Sequence, residues 1–122
     1  MDRLIFKRFF IAIAYLLLTL TVSAANVDVT GSNPASNNGY PSLSAAFNAI
    51  NAQDQAGFNV LVTINASFTE IDSVDITGAK GMWSTLKITT SGTYNITSNI
   101  LHPLLNFDGA DNVTIDGRVG RH

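Results

Sequence analysis

The stretch from Leu104 to Gly117 limits the fold more than any other part of the chain. Leu105 and Phe107 alternate with polar neighbours, Gly109 to Asn112 supply turn chemistry, and Val113 and Ile115 alternate again before Asp116 and Gly117 turn the chain. It reads as strand, tight turn, strand. The closing strand, Val113-Thr114-Ile115-Asp116, has looser copies upstream: Val62-Thr63-Ile64-Asn65, Val74-Asp75-Ile76-Thr77, Leu86-Lys87-Ile88-Thr89 and Tyr94-Asn95-Ile96-Thr97. Strands this short, with their apolar residues two apart, bury one face only. Ile64 and Ile88 are 24 positions apart, and Ile88 and Ile115 are 27 apart. Those steps fall in the range of roughly 20 to 50 residues that marks stacked repeats. An antiparallel sandwich also gives short strands with frequent turns. Tight hairpin signals are scarce, however, and Gly109-Ala110-Asp111-Asn112 is the best of them. The pattern therefore predicts an all-β coil built from short strands, turn upon turn.

Upstream, Asn26 to Thr30 alternates with Val27 and Val29 on one face. Gly31 to Tyr40 is dense in turn formers and is expected to be a loop with nothing to bury. Then the period changes. From Ser42, an N-cap residue after Pro41, the apolar positions are Leu43, Ala46, Phe47 and Ile50, the spacing of one helical face. An amphipathic helix ahead of a β-rich region is suited to covering an open end of a sheet or coil, and packing on the side of a sandwich is the alternative. Asn59 to Asn65 is a β-branched strand, Ala66 to Asp72 a break, and Gly78 to Gly81 and Ser91-Gly92 are turns.

The first 25 residues have the features of a signal peptide. Arg3, Lys7 and Arg8 form a positive start, Phe9 to Leu20 is apolar apart from Thr19, and Val22-Ser23-Ala24 or Ser23-Ala24-Ala25 offers small residues for cleavage. Secretion or display at the cell surface follows, and an uncleaved anchor would also place the remainder outside the cytoplasm. From residue 26 onward, Lys80, Lys87, Arg118 and Arg121 face eight Asp and Glu, a net charge of −4. That balance argues against nucleic acid or an anionic membrane surface as a partner. The chain has no cysteine, which excludes a disulfide scaffold and a lipoprotein anchor. Fewer than about a hundred residues without such staples make a marginal core. The expected organisation is a signal peptide over 1–25, a strand, loop and cap helix over 26–58, and coils over 59–122.

Gly109-Ala110-Asp111-Asn112-Val113-Thr114-Ile115-Asp116-Gly117 resembles the bend-and-strand motif of right-handed parallel β-helix proteins of the pectin-lyase-like superfamily. Tyr40 to Asn51 resembles the cap-helix segment near the mature N-terminus of large secreted β-helix proteins of Bacteroidetes-type bacteria. The order of the two segments also matches, so the resemblance covers Val27 to Gly117. It implies a right-handed parallel β-helix, a solenoid with a short N-terminal cap helix, cut off after two to three coils of a longer parent. Further coils of that parent would be the neighbour of the last strand.

Candidate chemistry is thin. The resemblance implies that lyase or hydrolase residues, where a member has them, lie on central coils this chain does not reach, so no catalytic residue is assigned. Asp108 and Asp111, with Asp116 nearby, are calcium candidates, although their spacing is not that of an EF-hand loop and turn acids commonly bond their own backbone. Without calcium, no cofactor is expected. Trp83 and Tyr94 could stack on sugar rings if exposed, or else pack the interior of the coil. His102 and His122 have no partner in a known catalytic pattern. Asn65, Asn95 and Asn112 head N-glycosylation triplets. Asp72-Ser73-Val74 resembles an O-glycosylation triplet of the same bacterial group, with Ser73 as acceptor. Two functions follow: a non-catalytic surface module of an adhesin or carbohydrate-contacting protein, touching polysaccharide or another surface protein, or the start of a polysaccharide lyase or glycoside hydrolase.

Overall fold

The computed structural model describes residues 25–118, so the signal-peptide stretch before Ala25, and Arg121 and His122, lie outside the described residues. The described chain is all-β with one short helix. Its elements are β1 (Val27–Thr30), a 3-10 turn at Pro34–Ser36, β2 (Asn38–Tyr40), α1 (Leu43–Asn51), β3 (Asn59–Ile64), β4 (Phe68–Glu70) and β5 (Val74–Ile76), followed by β6 (Thr85–Thr90), β7 (Ile96–Ser98), β8 (Leu105–Phe107) and β9 (Val113–Asp116). Among the described residues no helix is long and apolar enough to cross a membrane.

The strands form a five-stranded sheet in the order β2-β1-β3-β6-β9 and two pairs, β4-β7 and β5-β8. β1 runs antiparallel to both β2 and β3, whereas β3, β6 and β9 are parallel, as are both pairs. Partners are separated by a similar length of chain each time: 26 residues from Val60 to Leu86, 27 from Leu86 to Val113, 28 from Phe68 to Ile96 and 31 from Val74 to Leu105. The chain therefore visits the three sheets in a fixed order.

Ile88 lies beside Ile115, as the spacing predicts, but on its other side it faces Val62, not Ile64, which faces Thr90. A slip of two residues leaves the same face inward, so alternation alone could not detect it. The upstream copies are also not one unit. Val74 to Ile76 and Ile96 to Ser98 belong to the two smaller sheets, and Tyr94 precedes its strand. Gly109 to Asn112 is no hairpin, because β8 and β9 are in different sheets and the segment carries the chain round a corner. Gly109 at φ 74 and Asn112 at φ 54 supply the left-handed residues that the corner needs.

Two short strands correct the sequence reading. β4 lies in the expected break, where only three residues pair and no alternation is visible. β2 and the 3-10 turn lie in the expected loop, and that loop does bury side chains: Ser32 and Ser36 are enclosed with Gln55. Ser32 Oγ and Ser36 Oγ are 2.9 Å apart, and Gln55 Nε2 donates to Ser36 Oγ at 3.1 Å and to the Ile50 carbonyl at 2.9 Å. Gln55 Oε1 accepts from the Asn33 amide at 2.9 Å. Each bond offsets the cost of taking a polar group out of water.

The helix forms where its sequence predicts. Ser42 is extended at φ −155 and its Oγ accepts from the Ala45 amide at 3.2 Å, while Leu43, Ala46, Phe47 and Ile50 turn inward. They join Val27, Val29, Val60, Val62, Val74, Ile76, Trp83, Leu86 and Ile88 in one cluster, which spans both sides of the expected boundary at residue 58. Burying each large apolar side chain contributes about 1.5–3 kcal/mol.

Both ends of α1 are tied to the strands that follow it. Glu70, buried at the end of β4, accepts through Oε1 from the Leu43 amide at 2.5 Å and the Ser44 amide at 3.2 Å. At the other end Asn51 acts like a neighbouring strand. Its Nδ2 donates to the Asp75 carbonyl at 2.7 Å and its Oδ1 accepts from the Thr77 and Gly78 amides, each at 3.4 Å. Glu70→Ala strands two helix amides and is expected to lower stability by about 2–4 kcal/mol in urea unfolding of the exported protein. Glu70→Gln keeps an acceptor, losing only the charge near the helix N-terminus, and should cost about 1 kcal/mol. Equal losses for the two variants would mean that the carboxylate does not cap the helix.

Candidate functional site

The residues singled out by sequence do not converge. Trp83, the first sugar-stacking candidate, is 2 % exposed, and its Nε1 donates to the Asp111 carbonyl at 2.9 Å. Its ring is core and has no open face for a sugar, because a large apolar ring beside β6 is most stable inside and its one polar atom finds a carbonyl there. Tyr94, on the far side of β6, is 37 % exposed. With Ile64, Thr90, Thr93, Ile96 and Gly117 it lines an open pocket of about 200 Å³. The hollow holds one aromatic, at its rim.

Asp108 and Asp111 are exposed at the corner between β8 and β9. Asp111 Oδ1 accepts from the Asn112 amide at 2.8 Å, the local bond expected of a turn acid. Asp116, on β9, faces Arg118: its Oδ1 accepts from Arg118 Nε at 3.0 Å and from the Arg118 amide at 3.1 Å, and Lys87 Nζ is 4.0 Å from its Oδ2. Those bonds hold the Asp116 carboxyl below the usual carboxylate range, chiefly through the Arg118 side chain. Among the described residues no three His, Asp or Glu side chains group in a way that could hold a metal ion. His102 is exposed beside Pro103. Ser73 Oγ donates to the Pro103 carbonyl at 2.7 Å, so its hydroxyl is engaged between the segments that lead into β5 and β8. Of the triplet asparagines, Asn65 donates through Nδ2 to Asp28 Oδ2 at 2.7 Å, while Asn95 and Asn112 are exposed.

A polar depression of about 680 Å³ was not anticipated. It is lined by Ala25, Asn26, Asp28, Asn38, Gly39, Tyr40 and Pro41, at the outer edge of the five-stranded sheet. Antiparallel pairing places Asp28 opposite Gly39, and Val27 opposite Tyr40. Asn26 is fixed from two sides: its carbonyl accepts from the Asn65 amide at 2.8 Å and its Nδ2 donates to the Pro41 carbonyl at 2.9 Å. Tyr40 donates its hydroxyl to the Ser36 carbonyl at 2.8 Å, and burial raises the pKa of that phenol. Position 39 must be glycine because a Cβ there would overlap the Ala25 side chain and sit 3.3 Å from Asp28 Oδ1. These residues come from two short stretches ten positions apart in sequence and carry no motif. Only the unforeseen strand β2 brings them together.

Comparison with known proteins finds no matching family model, no matching curated protein and no matching solved structure.

Two measurements check these placements. Trp83 should emit as a buried indole, resist quenching by acrylamide and keep its spectrum when sugars are added. A side-chain titration of Asp116 should show a midpoint below the ordinary carboxylate value that returns toward it in Arg118→Gln. A depressed folded value means the interaction is complete above the unfolded pKa and is lost as pH falls through the folded one.

Proposed function

We propose that this chain opens a right-handed parallel β-helix, and that it serves as a non-catalytic module of a secreted or cell-surface protein, an adhesin or a protein in contact with carbohydrate. The observation that carries this is the in-register parallel run β3-β6-β9, accompanied by two parallel pairs with nearly the same step. Parallel strands in one sheet are joined by right-handed crossovers in almost all proteins, which supports the hand. Antiparallel β1 and β2 and the tethered helix α1 lie at one end only. Further coils of a longer parent would pair with the free edges of β7, β8 and β9. Outward from the main sheet, Thr63 pairs with Thr89 and Thr89 with Asp116, while Leu61 pairs with Lys87 and Lys87 with Thr114. Rows of hydroxyls and charges on an extended face suit contact with a polyhydroxylated polymer. They supply no proton donor and nucleophile aimed at one bond.

Exported protein should sediment with insoluble polysaccharides or with the surface of the producing cell, and release nothing from them. Reducing ends or unsaturated uronide absorbance appearing in proportion to protein would replace the module with an enzyme. No retention on any polysaccharide or cell surface would remove the contact function.

A further inference from the structure

The polar depression beside Ala25 is built around an acid that has no cationic side chain near it in sequence. No Lys or Arg occurs between Arg8 and Lys80, and among the described residues the ion pairs are confined to Asp116 with Lys87 and Arg118. One oxygen of Asp28 is taken by Asn65. The other, Oδ1, points to the space over Gly39 that the Ala25 side chain also borders. Ala25 directly follows Val22-Ser23-Ala24, the first of the two small-residue cleavage patterns, which shortens the expected 1–25 leader by one residue.

We propose that the Ala24–Ala25 bond is the maturation site, and that the α-ammonium released there pairs with Asp28 and clasps β1 to β2 at the outer edge of the sheet. The proposal rests on the leader being a cleaved signal peptide. An endopeptidase of the signal-processing kind hydrolyses the bond. The C–N bond breaks, the oxygen of water ends on Ala24 as a carboxylate, and the Ala25 amine takes up a proton. Before cleavage that nitrogen is a neutral amide, so the precursor lacks the pair. Cleavage thus creates the one cation this end of the fold lacks, beside the acid that can hold it. An opposite charge within a few ångströms favours the protonated amine. Gly39 keeps the approach open, and the bonds of Asn26 to Asn65 and to Pro41 hold the adjoining backbone between the ends of β3 and β2.

The test uses the full precursor, expressed in a secreting host. Intact mass of the exported chain reads the leader and the cut. A start at Ala25 is expected, a start at Asn26 or elsewhere overturns the site, and an uncut export overturns the leader itself. The α-amine of the exported protein is then acylated at pH 7 with a limiting amine-reactive reagent. Asp28→Asn, which still offers Asn65 an acceptor, should react at least about threefold faster than the unaltered chain, since half a pKa unit changes the free-amine fraction by that factor. The difference should shrink toward unity in 1 M salt, where exposed pairs are screened. Equal rates for the two proteins at low salt, with the cut at Ala25 confirmed, would leave the leader intact as a conclusion and overturn the clasp.

Discussion

Strand edges must be satisfied, and at the N-terminal end of this chain that constraint decides the fold. β3 is the first strand of the parallel run, so its outer edge would be a row of unpaired amides and carbonyls. β1 covers that edge in the opposite direction, residue for residue from Val27 opposite Ile64 to Thr30 opposite Leu61. Reversal matters because the next strand in a parallel series would need another circuit of chain. An antiparallel strand needs none. The edge of β5 is covered by a side chain instead, with Asn51 lending both a donor and an acceptor to Asp75, Thr77 and Gly78. Glu70 reverses the roles, as a strand residue supplying the acceptor that the helix amides lack. α1 is therefore held by the strands it covers, and its apolar face closes the core above Val74 and Ile76.

Polar groups inside this end follow the same accounting. Ser32, Ser36 and Gln55 are enclosed and bonded to one another or to backbone, so their burial carries little penalty. Glu70 is the exception: its Oε2 is buried with no partner, although Oε1 has two. The helix dipole and two charge-assisted bonds offset part of that cost. The carboxylate both positions and stabilises the helix, since an apolar side chain would avoid the desolvation cost but leave the amides of Leu43 and Ser44 unpaired.

Elements with a long, clear period were legible in the sequence. The Ser42 cap and the stripe from Leu43 to Ile50 were readable because a helix signals its own start and buried face. β3, β6 and β9 were readable as strands for the same reason. Their mutual register was half readable: Ile88 beside Ile115 follows from the spacing, while the partner on the other side, Val62, differs from the expected Ile64 by one full alternation. Three-residue strands carry too little pattern, so Phe68–Glu70 and Asn38–Tyr40 were hidden. The depression around Asp28 was hidden with them, since it depends on β2. Trp83 shows the limit for single residues, because nothing in its neighbours distinguishes a buried indole from an exposed one, and only the pairing of β6 with β9 places the Asp111 carbonyl over its N–H.

Inward-facing columns record what each added layer contributes. In the main sheet Val62 and Ile88 are buried, whereas Ile115 below them is 54 % exposed. In the β5-β8 pair Ile76 is buried and Phe107 beneath it is 47 % exposed. Burial falls toward the last strands because Ile88 has a paired strand on both sides, whereas Ile115 and Phe107 have one on one side only. The helix and β1 supply shelter to the first layer and gain no counterpart from β8 or β9. A layer placed below would bury Val113, Ile115, Leu105 and Phe107 at once, without altering the contacts above. The polar end at Ala25 to Pro41 differs in kind from the parallel run, because β1 is antiparallel to both of its neighbours and β2 takes its outer edge.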